Sequence, residues 1–500
     1  GAFRFLNPDW GKRDAGNDVT NPEPSFIGNP VQRMIFWRNR IVLLSAENVI
    51  CSRAAGDFYN FWAKTAMTIS NQDPIDLQSS STYPTKLYDA VESNSGLVLF
   101  SASEQFLLSS GAEAILTPET AKVSFLSAYA YDSNTRPFSL GTSVGFLNST
   151  AKNTRFYEMA NILAGGRGEP DVLEQSKVIS NLFPKNSSMP AVSTQNDLVL
   201  FSVDSTLHTG TNEVWGYRFF NQGDRRIQSA WFRWNLPNTL VYHAIMDDVY
   251  YAVLNTGSTF TLEKIDIRLS PTTMLVGTDP DTNRIHLDTK KTVATGDLTY
   301  NIGTHLTTFT LGAGYYSTNT LTAYIKASGD QEGRSYDIPD ASITGSHPNK
   351  VVTLPGNWKN YVNAAGATIT TDIIIGYEYE FEVELPTIHV IKAEGEKIRS
   401  ETRGSLVVHR LNFNFADVGV VDITLKRKGR NDYTQTYESL EWDSITSNTA
   451  AIANEYIHTI PVYDRNTNLT VHLKSNHPSP ATLLSMNWEG DYNNKFYQRV

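Results

Sequence analysis

The feature that most constrains the fold is a short meander of apolar runs and tight polar turns, first seen in "RMIFWRNRIVLLSAENVICSRAAGDFYNFW" at residues 33–62. The pairs Arg38–Asn39 and Glu47–Asn48 separate its apolar runs. This pattern predicts antiparallel hairpins, because two-residue turns join antiparallel strands whereas parallel strands need a long crossover. We expect the aromatic residues that close the stretch to fill the space between neighbouring sheets.

The same meander recurs through the first half of the chain, at residues 34–52, 96–117, 136–147, 197–220 and 239–267. The first half would accommodate roughly six units of about 40 to 50 residues, the usual length of a propeller blade. The sequence therefore predicts a β-propeller over residues 1–270, completed by residues upstream of this chain. Two or more β-sandwiches are the alternative, because one sandwich normally occupies only about 100 residues.

The second half predicts two further β domains. A Pro/Asp/Thr-rich stretch, "SPTTMLVGTDPDTN", marks the boundary, and a β-rich middle domain is expected at 271–395. Its strands include "TLTAYIKA" and "TDIIIGYEYEFEVELP", and the second alternates strictly as if it lined one core face. A β-sandwich-like domain is expected at 396–500, with strands such as "LVVHRLNFNF", "VVDITLKRK" and "NLTVHLK". The fold class is all-β, and the best helical candidate is short, near 172–182.

Composition excludes several classes of protein. The single cysteine, Cys51, rules out disulfides within the chain and lies in an apolar run, so we expect a small buried side chain. Apolar runs such as "IVLL" and "DIII" are far shorter than the roughly 18 residues that a membrane span needs. Forty-two basic and fifty-two acidic residues give a net charge of −10, which argues against a surface that grips nucleic acid.

The motif closest to a catalytic one is "GTSVG" at residues 141–145, which has the spacing of a nucleophile elbow around Ser143. An elbow needs a strand, a strained turn and then a helix. The surrounding "FSLGTSVGFLNS" instead predicts a strand, a turn and a second strand. We therefore expect a structural role for Ser143.

Two loops resemble ligand-binding motifs without meeting their requirements. "DPDTN" at 279–283 begins like a calcium loop, but Arg284 and Lys290 occupy the places where an EF-hand needs glycine and glutamate. "GGRGEP" at 165–170 has neither the dinucleotide-binding nor the P-loop spacing. We expect a solvated interdomain turn and a flexible exposed loop. Because the histidines also lack zinc-site spacing, the sequence predicts no metal site and no cofactor.

One enzymatic alternative stays open at this stage. Two carboxylates far apart in sequence can lie about 5 to 9 Å apart in a folded glycoside hydrolase. Sialidase-type propellers, however, usually repeat an S-x-D-x-G-x-T-W box, and this sequence contains none. Asp247 and Asp248 lie where a hairpin turn is expected, so turn formation explains them. We predict no catalytic residues.

Two clusters raise the question of partners. "LKRKGR" at 425–430 is expected to form a hairpin tip, either as a solvated turn or as a contact with an acidic partner or with DNA. "QSAWFRWNLP" at 228–237 brings together Trp231, Phe232 and Trp234. We expect most of these aromatic side chains to lie in the core, and some to anchor a subunit interface.

A series of segments carries a resemblance that composition does not: "NPEPSFIG" (21–28), the opening meander, "NQDPIDL" (71–77), "TRPFSLGTSVGFLN" (135–148), "QSAWFRW" (228–234) and "NWEGDY" (487–492). In this order they closely resemble the tail tubular protein B family, the tail nozzle proteins of short-tailed, podovirus-type bacteriophages. The matches are dense in the first half and sparse between 280 and 400. Their order and number carry the resemblance rather than any single motif.

The resemblance implies a non-enzymatic structural protein of the virion. Six copies would form a ring, the distal tube of the tail, docked onto the adaptor ring of tail tubular protein A with tail fibres near the junction. The lumen would hold double-stranded DNA until contact with the host cell surface and then conduct it during DNA ejection. Family members are longer at the N-terminus, and the resemblance suggests no catalytic residues.

Charge and resemblance lead to one mechanism. Duplex DNA carries about one negative charge per 1.7 Å of its axis, so a conduit should avoid binding it tightly. We expect an acidic wall to let DNA slip, and short inward loops to act as a gate that moves on host contact. The alternative is a tail-associated propeller glycoside hydrolase or a receptor-binding protein acting on host surface polysaccharide.

Overall fold

The computed structural model describes residues 6–493 except for 8, 55, 82, 111–114, 163–168, 223–224, 258, 269–284, 313, 316–318, 327–330, 332–333, 364, 395–396, 403 and 440–452. The described regular structure consists of 38 strands and short 3-10 helices, so the all-β prediction is confirmed. Two compact units divide the chain, Gly1–Arg268 and Leu269–Val500.

The described strands of the first unit form five antiparallel sheets in chain order. The first contains β1 (Val31–Trp37), β2 (Arg40–Ser45), β3 (Asn48–Cys51) and β4 (Ile75–Gln78). The second contains β5 (Leu87–Ser93), β6 (Gly96–Ser101), β7 (Gln105–Ser109) and β8 (Lys122–Ser127). The third contains β9 (Phe138–Ser139), β10 (Val144–Ser149), β11 (Thr154–Ala160) and β12 (Asp171–Glu174). The fourth contains β13 (Ser187–Ser193), β14 (Leu198–Val203), β15 (Glu213–Gln222) and β16 (Arg225–Asn235), and the fifth β17 (Thr239–Met246), β18 (Val249–Asn255) and β19 (Phe260–Asp266).

Turn chemistry explains the opening hairpins. Arg38 and Asn39 both have positive φ, 46° and 58°, which is the backbone of the primed turn that matches the twist of two antiparallel strands. The second turn consists of Ala46 and Glu47, because Asn48 already pairs with Ser45. The predicted meander is thus confirmed, with its second turn one residue earlier than expected.

Each pair of neighbouring sheets shares one buried cluster. These clusters join the first sheet to the second (Val42 with Leu99), the second to the third (Phe100 with Phe146), the third to the fourth (Phe156 with Phe201) and the fourth to the fifth (Leu200 with Leu254). The first strands of successive sheets also pack in series, β1 on β5, β5 on β9, β9 on β13 and β13 on β17. The first unit is therefore a row of sheets packed face to face.

The second strand of each inner sheet is apolar on both faces because it contacts both neighbouring sheets. "LVLFS" occurs twice at this position, at 97–101 in β6 and at 198–202 in β14. The similar run "IVLLS" at 41–45 lies in β2, the second strand of the first sheet, where Leu43 packs on Phe61 instead of on another sheet. In β14, Leu198 and Leu200 face the fifth sheet, whereas Val199 and Phe201 face the third. Burial on both faces produces a continuous apolar run instead of an alternating one.

Two predictions for the first unit need correction. Near 172–182 the chain forms the end of strand β12 and then a 3-10 helix, Gln175–Ile179, instead of an α-helix. Its Ser176 hydroxyl accepts a hydrogen bond from the backbone N–H of Phe156 at 3.0 Å, so sheet contacts override local propensity. The described strands form five sheets where the spacing predicted roughly six units, because connections such as the one between β3 and β4 are long.

The second unit pairs strands that lie far apart in sequence. Its first core joins a sheet in the order β20–β29–β23–β24 to one in the order β21–β22–β26–β25. These strands are β20 (Asp288–Val293), β21 (Thr299–Asn301), β22 (Leu306–Thr310), β23 (Leu321–Lys326), β24 (Ser335–Ile338), β25 (Ile343–Thr344), β26 (Val351–Pro355) and β29 (Asp372–Tyr377), with the small pair β27 (Asn360–Val362) and β28 (Thr368–Thr370) beside them. Short 3-10 helices occupy Thr295–Asp297 and Asp340–Ser342.

A second core in this unit lies between a four-stranded and a three-stranded sheet, in the orders β30–β37–β34–β35 and β36–β33–β38. The strands are β30 (Phe381–Leu385), β33 (Ser405–Val418), β34 (Val420–Arg427), β35 (Tyr433–Glu438), β36 (Ala453–Arg465), β37 (Leu469–Ser475) and β38 (Ala481–Asn493). The pair β31 (Val390–Glu394) and β32 (Lys397–Glu401) precedes β33, and a 3-10 helix occupies Asn466–Asn468.

The predicted strand "TDIIIGYEYEFEVELP" is wrong as a single element. The chain leaves β29 after Tyr377 and enters β30 at Phe381, and the two strands belong to different sheets. Ile373, Ile374 and Ile375 are all buried, with Ile374 in a separate small cluster. β29 is therefore covered on both faces, which its sequence alternation did not indicate.

Candidate functional site

Two common functional features, a membrane-spanning helix and a metal site, were looked for among the described residues. None of their helices has the length and apolar character needed to cross a membrane. Within the same ranges, no three His, Cys, Asp or Glu side chains come together as metal ligands. The polar groups that are buried instead form small networks between strands, and these networks decide what each candidate residue does.

Ser143 belongs to a network between the third and fourth sheets. It lies in a turn between β9 and β10, which pair antiparallel, as the sequence predicted. Its hydroxyl donates to the Glu158 carboxylate at 2.6 Å instead of facing a histidine. Arg226 on β16 binds the same carboxylate with both terminal nitrogens, at 2.5 and 2.9 Å. Ser143 thus has a structural partner.

Further contacts fix the Glu158 carboxylate in place. Gln175 donates to it at 2.7 Å and accepts a hydrogen bond from the Tyr217 hydroxyl at 3.0 Å. The Arg226 guanidinium lies 4.4 Å from the centre of the Phe219 ring. Because both carboxylate oxygens are bound to donors, Glu158 serves as an electrostatic link between two sheets. Sequence analysis missed this network, in which the bonded partners Glu158 and Arg226 lie 68 residues apart.

Arg40 performs a similar task in the first sheet. Its side chain is 1% exposed and donates to the carbonyl oxygens of Ser52 and Asp73, both at 2.7 Å, and of Asn71 at 2.8 Å. These hydrogen bonds fix the long connection between β3 and β4 against the first sheet. Cys51 lies fully buried beside it, as predicted, and burial raises the pKa of its thiol to about 12. Such a thiol is inert at neutral pH.

His243 is buried in the fifth sheet against the fourth. One ring nitrogen lies 2.7 Å from the Met189 carbonyl oxygen, and the other lies 3.1 Å from the Tyr250 hydroxyl. The neutral ring satisfies both, since it donates to the carbonyl and accepts from the hydroxyl. Burial lowers the pKa of His243 to about 4, so the ring stays neutral at physiological pH.

In the second unit, two carboxyl groups lie within hydrogen-bond distance of the same hydroxyl group. The Thr322 hydroxyl lies 2.7 Å from Glu378 and 3.2 Å from Asp337, and it can donate its single proton to only one of them. Burial, with a further contribution from the negative charge of Asp337, raises the pKa of Glu378 to about 7. The pair is thus a titratable element within one sheet of this unit.

The remaining candidates lie in turns and in the core. Asp247 and Asp248 form the two-residue turn between β17 and β18, as predicted, and Asp248 accepts a hydrogen bond from Asn196 at 2.9 Å. The segment 425–430 runs from the end of β34 into the predicted hairpin turn. The motif at 279–283 and residues 165–168 of "GGRGEP" lie outside the described residues.

The aromatic triplet of β16 lies between sheets. Trp231 packs among Phe201, Phe183 and Tyr217 on the side of the third sheet, and its ring N–H donates to the Gln175 carbonyl at 3.1 Å. Phe232 and Trp234 pack on the opposite side, toward the fifth sheet. All three side chains are partly buried against core clusters, as the sequence predicted for most of them.

The described residues thus belong to an all-β protein in which buried polar groups join neighbouring sheets. The chain belongs to the bacteriophage nozzle protein family, whose model matches residues 1–499. Tail tubular protein gp12 of Escherichia phage T7 is 24% identical over 510 residues, which cover 98% of this chain and 59% of that protein. The chain thus spans less than two thirds of the length of this curated relative. The resemblance seen in the sequence is confirmed.

Family membership bears on three predictions: the absence of enzymatic activity, the role of the protein and its location. The family consists of structural tail tubular proteins and is not a family of enzymes. The chain is accordingly a structural protein of the tail tube of a short-tailed phage, located in the virion tail.

Similarity to solved structures is weak. A complex of S. cerevisiae Dbp5 with Nup159 and Gle1 matches with a TM-score of 0.28 and 8% identity, over 71% of this chain and 92% of that chain. An exo-β-1,3-galactanase from Phanerochaete chrysosporium matches with a TM-score of 0.16 and 10% identity, over 92% of this chain and 96% of that chain. Scores this low support neither a shared fold nor a shared activity.

Proposed function

We propose that six copies of this protein form the distal tube of a short phage tail, which retains the genome and conducts DNA into the host cell. Membership of the nozzle family over residues 1–499 is the observation that carries this proposal. The proposed partners are the adaptor ring of tail tubular protein A, the tail fibres, the DNA in the lumen and the host cell surface. The ordered sequence resemblance supports them.

The architecture proposed for the subunit is a β-propeller at 1–270, a β-rich middle domain at 271–395 and a sandwich-like domain at 396–500. Support for the propeller comes from the row of five antiparallel sheets, whose first strands pack in series. Blades of a propeller are four-stranded antiparallel sheets arranged around a common centre, so their innermost strands are neighbours. The two cores of the second unit support two domains there, with β30 (Phe381–Leu385) pairing with β37 and so belonging to the second core rather than to the first.

The charge of the chain supports the conduit. A net charge of −10 means that the chain as a whole repels a phosphate backbone. We propose that an acidic lumen lets DNA slip, and that a few inward loops hold it until host contact moves them. In a ring with cyclic symmetry, each such loop would occur six times around one axis.

Electron microscopy of the purified protein tests the assembly. We expect rings of six subunits around a central channel. Particles of another symmetry, or monomers at every concentration tried, would contradict the proposal.

A separate experiment tests the slip mechanism. Fluorescence anisotropy with duplex DNA should show weak binding to the assembled ring and little dependence on salt. A steep fall of affinity with salt would mean that many phosphates are neutralised on binding. A uniformly basic lumen in the assembled ring would equally contradict an acidic slip surface.

A further inference from the structure

Three short segments of the described chain meet where the two cores of the second unit adjoin, and together they are called the junction. They are 285–287 before β20, 378–380 between β29 and β30, and 476–480 between β37 and β38. The second and third segments leave the second core side by side, because Phe381 at the start of β30 pairs with Ser475 at the end of β37. The backbone N–H of His286 donates to the carbonyl oxygen of Pro478 at 2.7 Å, which connects the first segment to the third.

The junction covers one face of a sheet in the first core. Ile285 and Leu287 pack with Tyr324 and Ile374, side chains of β23 and β29 that point away from the main cluster of that core. A Cβ atom at Gly376 would lie 2.6 Å from the Leu287 side chain, so the segment 285–287 lies directly on β29. This outer face of β23 and β29 is therefore in contact with the junction.

The carboxyl groups of Asp337 and Glu378 lie on the same outer face. Thr322, Asp337 and Glu378 each adjoin a residue of the main cluster, so the alternation of side chains along a strand turns them outward. The Thr322 hydroxyl has one proton for two carboxyl groups, so both are satisfied only when Glu378 keeps a proton and donates it to Asp337. When that proton is lost, two negative charges lie close together beside the junction.

The neutral groups around the pair cannot offset this charge. Burial, with the negative charges of Glu378 and Asp337, raises the pKa of the Tyr324 phenol, which therefore stays neutral. Burial also lowers the pKa of His477 in the junction, against the opposing effect of Asp337, so its ring is neutral at pH 7.

The charged groups beside the connection 378–380 are negative or already paired. Asp288 of β20 pairs with Tyr377, and burial, with the negative charge of Asp288, raises the pKa of Tyr379 to about 12. Lys474 at the end of β37 binds Glu380 at 2.6 Å. Loss of the proton from Glu378 therefore adds a negative charge that these described neighbours do not compensate.

We propose that the junction is a proton-controlled hinge: the proton shared by Asp337 and Glu378 keeps the junction closed on the sheet, and its loss at higher pH loosens the junction while both cores stay folded. Opening separates the two carboxylates and lets water reach them, which relieves both the repulsion and the cost of burying the charge. Such a hinge belongs to the single subunit, so it does not depend on the ring of six copies proposed above.

The direction of the pH dependence follows from linkage. The pKa of Glu378 is about 7 in the closed junction, and an open junction would return it toward the ordinary 4.5. The closed form is therefore fully favoured below pH 4.5, loses its advantage as the pH rises through 7, and changes little above that. Between pH 6 and pH 8 the equilibrium constant for opening should rise about tenfold.

Hydrogen exchange of the 500-residue chain tests the hinge. The amide of His286, which donates across the junction, should exchange about tenfold faster at pH 8 than at pH 6 after correction for the intrinsic pH dependence. Ala323 and Phe413, in the first and second cores, should keep their protection. Glu378→Gln should remove the rise at His286. Glu380→Gln is the matched control, since it changes an exposed carboxylate of the same connection, and it should keep the rise.

Several outcomes would overturn the hinge. One is a corrected His286 rate that stays constant from pH 6 to pH 8, and another is a rise that persists in Glu378→Gln. Equal acceleration at Ala323 and Phe413 would mean that the whole unit unfolds instead of the junction opening. Asp337→Asn guards against a Glu378→Gln variant that fails to fold. It removes the like charge and should cut the rise to less than about threefold, and a full rise would contradict the shared proton.

Infrared difference spectroscopy follows the proton itself. Between pH 6 and pH 8 the wild type should lose the band of a protonated carboxyl group, and Glu378→Gln should lack this change. A spectrum in which Glu378 is already ionised at pH 6 would overturn the hinge, whatever the oligomeric state of the protein.

Discussion

The two units of this protein build β structure in different ways. In the first, strands that are neighbours in sequence pair into sheets, and the sheets pack in chain order with one core cluster between each pair. In the second, strands such as β30 and β37 pair across about 90 residues, and each core lies between two sheets of mixed origin. One unit is a row of local repeats, whereas the other depends on distant contacts.

This difference has a mechanical consequence. In a row, each sheet contacts only its neighbours, so stability is approximately a sum of sheet and interface contributions. Damage at one interface is therefore expected to leave the other interfaces in place. Sheets closed by distant strands are expected to lose their packing together. The predictions below test this contrast, from the largest expected effect to the smallest.

The strongest test removes a large side chain from one interface. Phe201 is fully buried and contacts the rings of Phe138, Phe156 and Phe183 between the third and fourth sheets. Phe201→Ala should lower the unfolding free energy of the first unit by about 3 to 5 kcal/mol, because it leaves a cavity. Hydrogen exchange should quicken in the third and fourth sheets and stay slow in the first. Equal loss of protection in all five sheets would contradict the row.

The matched control for Phe201 lies in the same sheet. Phe220 on β15 is 55% exposed, and Phe220→Ala should change the unfolding free energy by less than about 1 kcal/mol. A loss as large as that of Phe201→Ala would mean that burial does not decide the effect.

Removing the charged link between sheets should have the next largest effect. Arg226→Ala leaves the Glu158 carboxylate buried without its cation, and we expect a loss of about 3 kcal/mol in urea unfolding. Arg233→Ala on the same strand breaks an exposed pair with Glu213 and should cost less than about 1 kcal/mol. Comparable losses from the two variants would show that the Glu158 network is not a structural link.

Acid should weaken the contact between the fourth and fifth sheets. Because the pKa of His243 is about 4 when folded and 6.5 when unfolded, the unfolded chain binds its proton first as the pH falls. The contribution of the neutral His243 ring to the unfolding free energy is complete above pH 6.5. It is lost progressively toward pH 4, by about 3 kcal/mol. The gap in unfolding free energy between the wild type and His243→Gln should shrink by that amount from pH 7 to pH 4. A constant gap would contradict a buried neutral histidine.

The second unit should respond to pH in the opposite sense at Glu378. Its folded pKa of about 7 lies above the ordinary 4.5, so its contribution to stability is present below pH 4.5 and is lost as the pH rises through 7. Glu378→Gln should therefore gain stability relative to the wild type between pH 5 and pH 8, by roughly 1 to 2 kcal/mol. Chemical unfolding at several pH values measures this, and a wild type that gains stability relative to the variant would contradict it.

The smallest expected loss of stability concerns Gly216, whose backbone lies close to the Phe232 ring in the fourth sheet. A Cβ atom at Gly216 would lie 2.1 Å from the Phe232 ring, so Gly216→Ala must displace a side chain between two sheets. We expect a loss of about 1 to 2 kcal/mol in thermal unfolding. Gly296→Ala, where no atom lies within 4 Å, is the control and should be neutral or stabilising. A neutral Gly216→Ala would mean that the fourth sheet is loosely packed.

The sequence predicted the first unit better than the second, and the contrast explains why. The hairpin at Arg38–Asn39 and the turn at Asp247–Asp248 are local, so turn chemistry and alternation predict them. The break between β29 and β30 is not local. It depends on which distant side chains cover Ile374 and which distant strand pairs with Phe381, and periodicity reports neither.

The buried polar groups were the hardest to predict. Arg40 stands at the start of the apolar run "RIVLLS", and a charged residue in that place is the one available signal that it has buried partners. Glu158 and Arg226 give no such signal, because their partnership exists only once the third and fourth sheets pack. Family resemblance indicated the role of the chain without indicating these contacts.

The most direct test of the whole account is a cryo-electron microscopy map of the intact virion tail at a resolution that traces strands. We predict six copies of this chain around the axial channel, each with the five sheets of its first unit arranged as blades of a propeller. A map that places the chain in a peripheral fibre, or that shows a number of copies other than six around the axis, would contradict the account.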